Sequence, residues 1–194
     1  MVYPPRWEIK ADLATKYAKM GIVSTAAELF EEVEMWDEVV ECYQRCGKES
    51  KAEEVVRYRL EKGETPRMWA ALGDITKDIK YYEKAVKLSQ GKFSSAYIAL
   101  GKIYFEKNEL EKSREYIEKA LELKPINPGI WFFFGTLNMR LERWGAALQA
   151  FSEVVQQEPE EGEAWANVAA IHMRNNEQAK ALPALVEVSP LQSI

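Results

Sequence analysis

Residues 94–125 read SSAYIALGKIYFEKNELEKSREYIEKALELKP and contain two consecutive helical patterns. Apolar and small residues recur at a spacing of three and four, which places them on one face of a helix: Tyr97, Leu100, Gly101 and Tyr104. A second such face follows after a short break: Ser113, Ile117 and Ala120. Pro125 comes next, where a helix must stop. The small residues Gly101 and Ser113 predict that the two helices approach each other closely.

The same pattern returns after 34 residues, and again after another 34. Tyr97 aligns with Trp131 and then Trp165, and Pro125 aligns with Pro159. The third copy departs from the pattern, since Ala169 and His172 replace the small and aromatic residues of the first helix. The second half of the chain therefore consists of three helical hairpins of equal length.

The first half repeats with a shorter period of 26 residues. Gly21 aligns with Gly47, Gly73 and finally Gly101. These hairpins lack about two helical turns, mostly from their first helix. Because all four glycines share one register, we expect each of them to lie where two helices cross closely.

These positions resemble the signature of the tetratricopeptide repeat family, a helical hairpin of 34 residues. The resemblance implies an all-α fold, a right-handed α-solenoid of about six hairpins in a single domain over 1–194. We assign its parts as short hairpins over 8–93 and repeats over 94–127, 128–161 and 162–194. The predicted helices span 8–20, 24–34, 37–46, 51–62, 66–73, 78–89, 94–107, 110–123, 128–141, 144–157, 162–175 and 177–182.

The stretch over 34–74, EMWDEVVECYQRCGKESKAEEVVRYRLEKGETPRMWAALGD, resembles one eukaryotic branch of this family. That resemblance implies a cytosolic or nuclear factor in chaperone-assisted assembly, including assembly of a spliceosomal particle. It implies a protein partner.

Composition narrows the function further. The chain has 194 residues, 31 acidic and 26 basic, and a formal net charge of −5, which disfavours nucleic acid and anionic membranes as partners. One histidine and two cysteines leave no material for a multi-histidine metal site or a disulfide framework. We find no group of nucleophile, base and acid, no membrane span and no secretory signal. We therefore expect no enzyme, cofactor or metal site, and a cytoplasmic location that extends to the nucleus.

In the family, first helices line the concave face, and several of their positions are not used by the hairpin signature. Here these positions carry apolar residues with basic residues beside them, a set that we call the first-helix strip: Ile98, Lys102, Phe105, Phe132, Phe133, Met139, Arg140, Asn167, Met173 and Arg174. We interpret the strip as the binding face for a peptide or helix of a partner. The alternative is that these side chains cover a neighbouring hairpin or a folded-back terminus. The Lys and Asn residues with which the family clamps chaperone tails are missing, since Phe132 and Thr136 stand in their place.

The last helix contains a proline, Pro183, which predicts a kink or a stop near Ala181. We expect the apolar residues beyond it to fold back or to pack on another copy of the chain: Leu185, Val186, Leu191 and Ile194. The second hypothesis for function follows, a structural scaffold that self-associates through its convex face or an array end, including a homodimer through the C-terminal end.

Overall fold

A computed structural model describes residues 5–188, and this part of the chain is built from α-helices without a β-strand. The first six helices are α1 Arg6–Lys19, α2 Val23–Glu32, α3 Trp36–Arg45, α4 Glu49–Lys62, α5 Pro66–Thr76 and α6 Ile79–Leu88. The next six are α7 Ser94–Glu106, α8 Leu110–Leu123, α9 Pro128–Arg140, α10 Trp144–Gln157, α11 Gly162–Arg174 and α12 Gln178–Val188. The predicted all-α class is confirmed, and eleven of the twelve predicted helices agree with the observed bounds to within three residues.

The chain divides into two compact units between Ala96 and Tyr97. Within the first unit, each helix from α1 to α5 packs against the next along the chain. Its core contains small and medium apolar side chains such as Ala26, Val39 and Val56, all without exposed surface. The second unit buries larger side chains, of which Phe151 is completely enclosed between α9, α10 and α11.

Most of the connections between helices are three-residue turns of one kind. Their middle residue has a positive φ, as at Asn108, Glu142 and Asn176. The N–H of the following residue donates to the carbonyl five positions back, for example from Arg143 to Asn138 at 2.8 Å. This arrangement satisfies carbonyl groups that the end of a helix leaves free, and it reverses the chain within three residues.

The glycines that share one register in the sequence have two different roles. Gly21 and Gly47 are middle residues of such turns, with φ values of 83° and 66°, and a Cβ at either would meet open space. The prediction that they lie at close helix crossings is wrong, because the shortened first helix ends just before them. They supply the left-handed backbone conformation that glycine adopts without strain.

Gly73 and Gly101 lie at close crossings, as predicted, and Gly135 does so as well. A Cβ at Gly101 would come within 2.5 Å of the Ile117 side chain, and one at Gly135 within 2.8 Å of the Phe151 ring. The Ser113 hydroxyl donates to the Gly101 carbonyl at 2.7 Å across the same crossing. Small residues on α7 and α9 therefore fix how closely each second helix approaches.

Consecutive hairpins of the second unit are joined by a repeated hydrogen bond. The Trp131 indole Nε1–H donates to the Pro125 carbonyl at 2.7 Å, and Trp165 donates to Pro159 at 2.8 Å. The proline ends one hairpin, and the tryptophan lies in the first turn of the next helix. The two signature residues thus form one contact that sets the start of each new hairpin.

The last helix runs past its proline. The predicted stop near Ala181 is wrong, since α12 continues to Val188 with Pro183 inside it. Ala181 and Ala184 are buried against α11 on both sides of the proline, so packing holds the helix together. Leu185 and Val186 are 46% and 60% exposed, whereas Leu191 and Ile194 lie outside the described residues.

Candidate functional site

The first-helix strip lies on α7, α9 and α11, all of which belong to the second unit apart from the first turn of α7. Four of its members are exposed: Lys102, Met173 and the arginines Arg140 and Arg174. The other members are half-buried, which gives the strip an apolar floor with cationic side chains standing above it.

Two helices contribute to the centre of the strip. The Phe105 ring on α7 meets the Phe133 ring on α9 edge to face, with centroids 4.9 Å apart. The Arg140 guanidinium lies over the Phe105 ring at 4.5 Å from its centroid. Because aromatic pairs and cation–π contacts have preferred geometries, these three side chains hold one another in place and form a pre-organised surface.

Phe132 and Met139 point toward their own hairpin as well as toward the surface. Phe132 meets the buried Phe151 edge to face at 5.3 Å, and both residues pack against the core between α10 and α11. Ile98 and Phe133 contact the neighbouring core that contains Ile117. These residues therefore carry part of the hairpin packing and also leave apolar surface for a ligand.

The third helix contributes separately from this centre. The Arg174 guanidinium lies 4.0 Å from the ring centroid of Trp144, the first residue of α10. The Asn167 side chain donates to the Glu163 carbonyl of its own helix at 3.0 Å, and Met173 is 57% exposed. The strip is thus continuous from α7 to α9, whereas Arg174 is held at its edge by an aromatic residue.

Trp144 is the residue of this region that the sequence analysis left out. It follows the turn between α9 and α10, where the preceding repeat has Leu110. The signal was available in the sequence, because a tryptophan at a turn position without a core role is unusual. Its pairing with Arg174 depends on how α11 packs beside α10, and repeat spacing alone does not give that.

The titratable groups that sequence reasoning weighed as chemical candidates have structural partners. The His172 Nδ1 lies 2.7 Å from a Glu177 carboxylate oxygen, and hydrogen bonds from Lys180 and His172 lower the pKa of Glu177. Cys42 is buried, and burial raises the pKa of its thiol, which makes it a poor nucleophile. Among residues 5–188 no three His, Cys, Asp or Glu side chains gather in a way that would hold a metal ion.

Two stretches of the chain match family models described as tetratricopeptide repeat, residues 94–127 and 134–189. This chain belongs to the tetratricopeptide repeat superfamily. Its fold carries the close Gly crossings and the Trp to Pro contacts of that signature in successive hairpins. Proteins of this family generally act as non-enzymatic scaffolds for protein–protein interaction.

Curated relatives extend the similarity into the first half. The chain is 33% identical over 184 residues to "Tetratricopeptide repeat-containing protein trd-1" of Caenorhabditis elegans, covering 94% of this chain and 24% of that protein. It is 40% identical over 141 residues to "Tetratricopeptide repeat protein 27 homolog" of Dictyostelium discoideum, covering 73% and 16%. The chain therefore spans about a quarter or less of the relatives' length.

A solved structure shows the same fold. The crystal structure of the APC/C hetero-tetramer Cut9-Hcn1 matches with a TM-score of 0.66 and 15% identity, over 96% of this chain and 41% of the matched chain. At this identity the likeness shows the arrangement of helical hairpins only. None of the helices between residues 5 and 188 combines the length and the hydrophobicity that a membrane span requires.

Proposed function

We propose that the first-helix strip binds a peptide or helix of a partner protein, on the concave face that first helices form in this family. The observation that carries the proposal is the centre formed by Phe105, Phe133 and Arg140. Half-buried aromatic side chains give a ligand an apolar surface that is already ordered, so little side-chain entropy is lost on binding. Arg140 and Arg174 favour a segment with acidic residues beside its apolar ones.

The proposed role is assembly of a larger complex with the help of chaperones, in the cytoplasm with an extension to the nucleus. Similarity to the tetratricopeptide repeat protein 27 homolog supports this proposal. The scaffold needs no cofactor and no catalytic residue, and its partner is a protein rather than a nucleic acid or a membrane. A net charge of −5 agrees with that choice.

The experiment compares two double charge reversals in affinity enrichment from eukaryotic lysate, quantified by mass spectrometry. The test variant is Arg140→Glu with Arg174→Glu. The matched control is Lys119→Glu with Lys124→Glu, two exposed lysines of the α8 segment that change net charge by the same amount. We expect the test variant to lose a partner that the control retains, because only the former removes cations from the strip.

Thermal midpoints of both variants are measured in parallel, since Arg140 also contacts the Phe105 ring. A partner that is retained by the test variant, or lost equally by both variants at equal stability, would contradict the strip as the binding face. A partner lost only by the control would move the interaction to α8.

The second candidate function is self-association through the C-terminal end, and a specific observation favours it. The last helix exposes Leu182, Leu185 and Val186 to extents of 67%, 46% and 60%. Such an apolar face is typical of a contact surface. We expect light scattering to show a dimer, which the double substitution Leu182→Glu and Val186→Glu converts to a monomer. A monomer at all concentrations before substitution would remove this candidate.

A further inference from the structure

A cleft of about 370 Å³ opens between α8, α9 and α10, at the side of the second unit formed by its second helices. Its walls include apolar side chains, namely Leu121 from α8 with Trp131 and Phe134 from α9. Asn138 also contributes to this lining. None of these residues belongs to the first-helix strip, so the cleft is separate from the proposed peptide site.

The repeat pattern explains why the chain has space here. In the preceding repeat, Tyr104 stacks on Tyr116 with ring centroids 5.4 Å apart and an interplanar angle of 4°. The residues 34 positions later are Asn138 and Ala150, which are both completely buried. The second hairpin thus lacks two aromatic rings that the first one has, beside a cleft whose walls are still aromatic and apolar.

Asn138 adds a polar group that remains unpaired. Its Nδ2 donates to the Phe134 carbonyl at 2.8 Å, whereas its Oδ1 has no hydrogen-bond partner in the described part of the chain. A buried acceptor without a donor is unfavourable, and most such groups in proteins are satisfied. The oxygen has almost no accessible surface, so a ligand reaches it only if the Asn138 side chain rotates toward the cleft.

The charges at the rim indicate what lies next to the ligand. The Arg143 guanidinium contacts both carboxylate oxygens of Glu111 at 3.0 and 3.2 Å, and Arg114 pairs with Glu111 and Glu118. Glu122 makes none of the ion pairs that the structure shows among residues 5–188. The rim therefore offers one carboxylate to a positively charged neighbour.

We propose that this cleft binds a tyrosine side chain of a partner protein, flanked in the partner's sequence by lysine or arginine. The ring lies against Trp131, Phe134 and Leu121 and supplies the aromatic surface that the repeat lacks. The phenol O–H donates to the Asn138 Oδ1. Phenylalanine fills the same space but leaves the oxygen unpaired, so the cleft selects tyrosine over phenylalanine.

The test uses the full chain and two peptides, acetyl-Lys-Tyr-Lys-amide and its phenylalanine counterpart. Titrations follow the NMR signals of the Trp131 indole N–H and the Asn138 side-chain amide. We expect saturable shifts with the tyrosine peptide and about two- to tenfold weaker binding of the phenylalanine peptide, the value of one net hydrogen bond. Equal affinities, or no saturable shift up to the solubility limit of the tyrosine peptide, would overturn the proposal.

Two variants locate the binding. Ala146→Phe places a ring at the rim of the cleft from a half-buried surface position, so the fold is retained while the entrance is blocked. Asn138→Leu removes the acceptor and leaves the apolar walls. We expect the first variant to abolish the shifts and the second to equalise the two peptides, and unchanged tyrosine binding in Ala146→Phe would refute the site.

Discussion

Gly135→Ala tests whether close helix crossings position the second helices. The added Cβ would lie 2.8 Å from Cε1 and Cζ of the Phe151 ring. That is roughly 0.7 Å below the optimal separation of about 3.5 Å between carbon atoms. The ring has no exposed surface and also meets Phe132, so it has no free space to move into. Overpacking of this kind costs about 1–3 kcal/mol of unfolding free energy.

Helix propensity opposes this cost, since alanine is favoured over glycine by about 1 kcal/mol within a helix. The matched control is Gly145→Ala in the first turn of α10, where a Cβ meets open space. We expect the control to leave stability unchanged or to raise it by up to ~1 kcal/mol. The difference between the two variants isolates the steric term, with Gly135→Ala lower by about 1–3 kcal/mol.

The assay is urea unfolding followed by far-UV circular dichroism, with both midpoints compared at the same slope. A Gly135→Ala midpoint equal to that of Gly145→Ala would refute the close crossing. It would mean that α10 shifts on α9 without loss, and that the shared glycine register does not fix the hairpin geometry.

Phe132→Ala is expected to cost ~1–2 kcal/mol, because its half-buried ring packs on the core, whereas Trp131→Ala loses about 3 kcal/mol together with the hydrogen bond to a proline carbonyl; urea midpoints of both variants check this order, and an equal loss would place Phe132 in the core. Burial and the hydrogen bond to Glu31 raise the pKa of Tyr43 to about 12. Because its folded pKa is raised, the stability that this phenol contributes is complete below its ordinary pKa of 10.0 and is lost as pH rises toward about 12. Tyr43→Phe is expected to flatten the fall in thermal midpoint over that range, and an unchanged profile would contradict the assignment. Pro183→Ala restores a hydrogen bond inside α12 and raises the urea midpoint by up to ~3 kcal/mol of stability, a gain that would be absent if packing on α11 already compensates for the proline.

The candidate site was only partly accessible from the sequence. Repeat spacing placed all ten strip residues on first helices, since each helix exposes the positions that its signature leaves free. It did not give the half-burial of Phe132 or the pairing of Phe105 with Arg140, because these depend on how one hairpin packs on the next. Periodicity assigns a residue to a face, but it does not measure how much of that face a neighbour covers.

The sequence by itself determined the class of fold, the period of 34 residues and the bounds of eleven helices. This follows because the apolar spacing of each helix, and the residues that end it, are local properties of the chain. Tertiary structure alone decided that Gly21 and Gly47 serve turns while Gly73 and Gly101 serve crossings, since one residue type answers both needs. It also decided that α12 continues through Pro183. Burial of the two alanines beside that proline is a long-range contact, and such contacts override the local tendency of proline to end a helix.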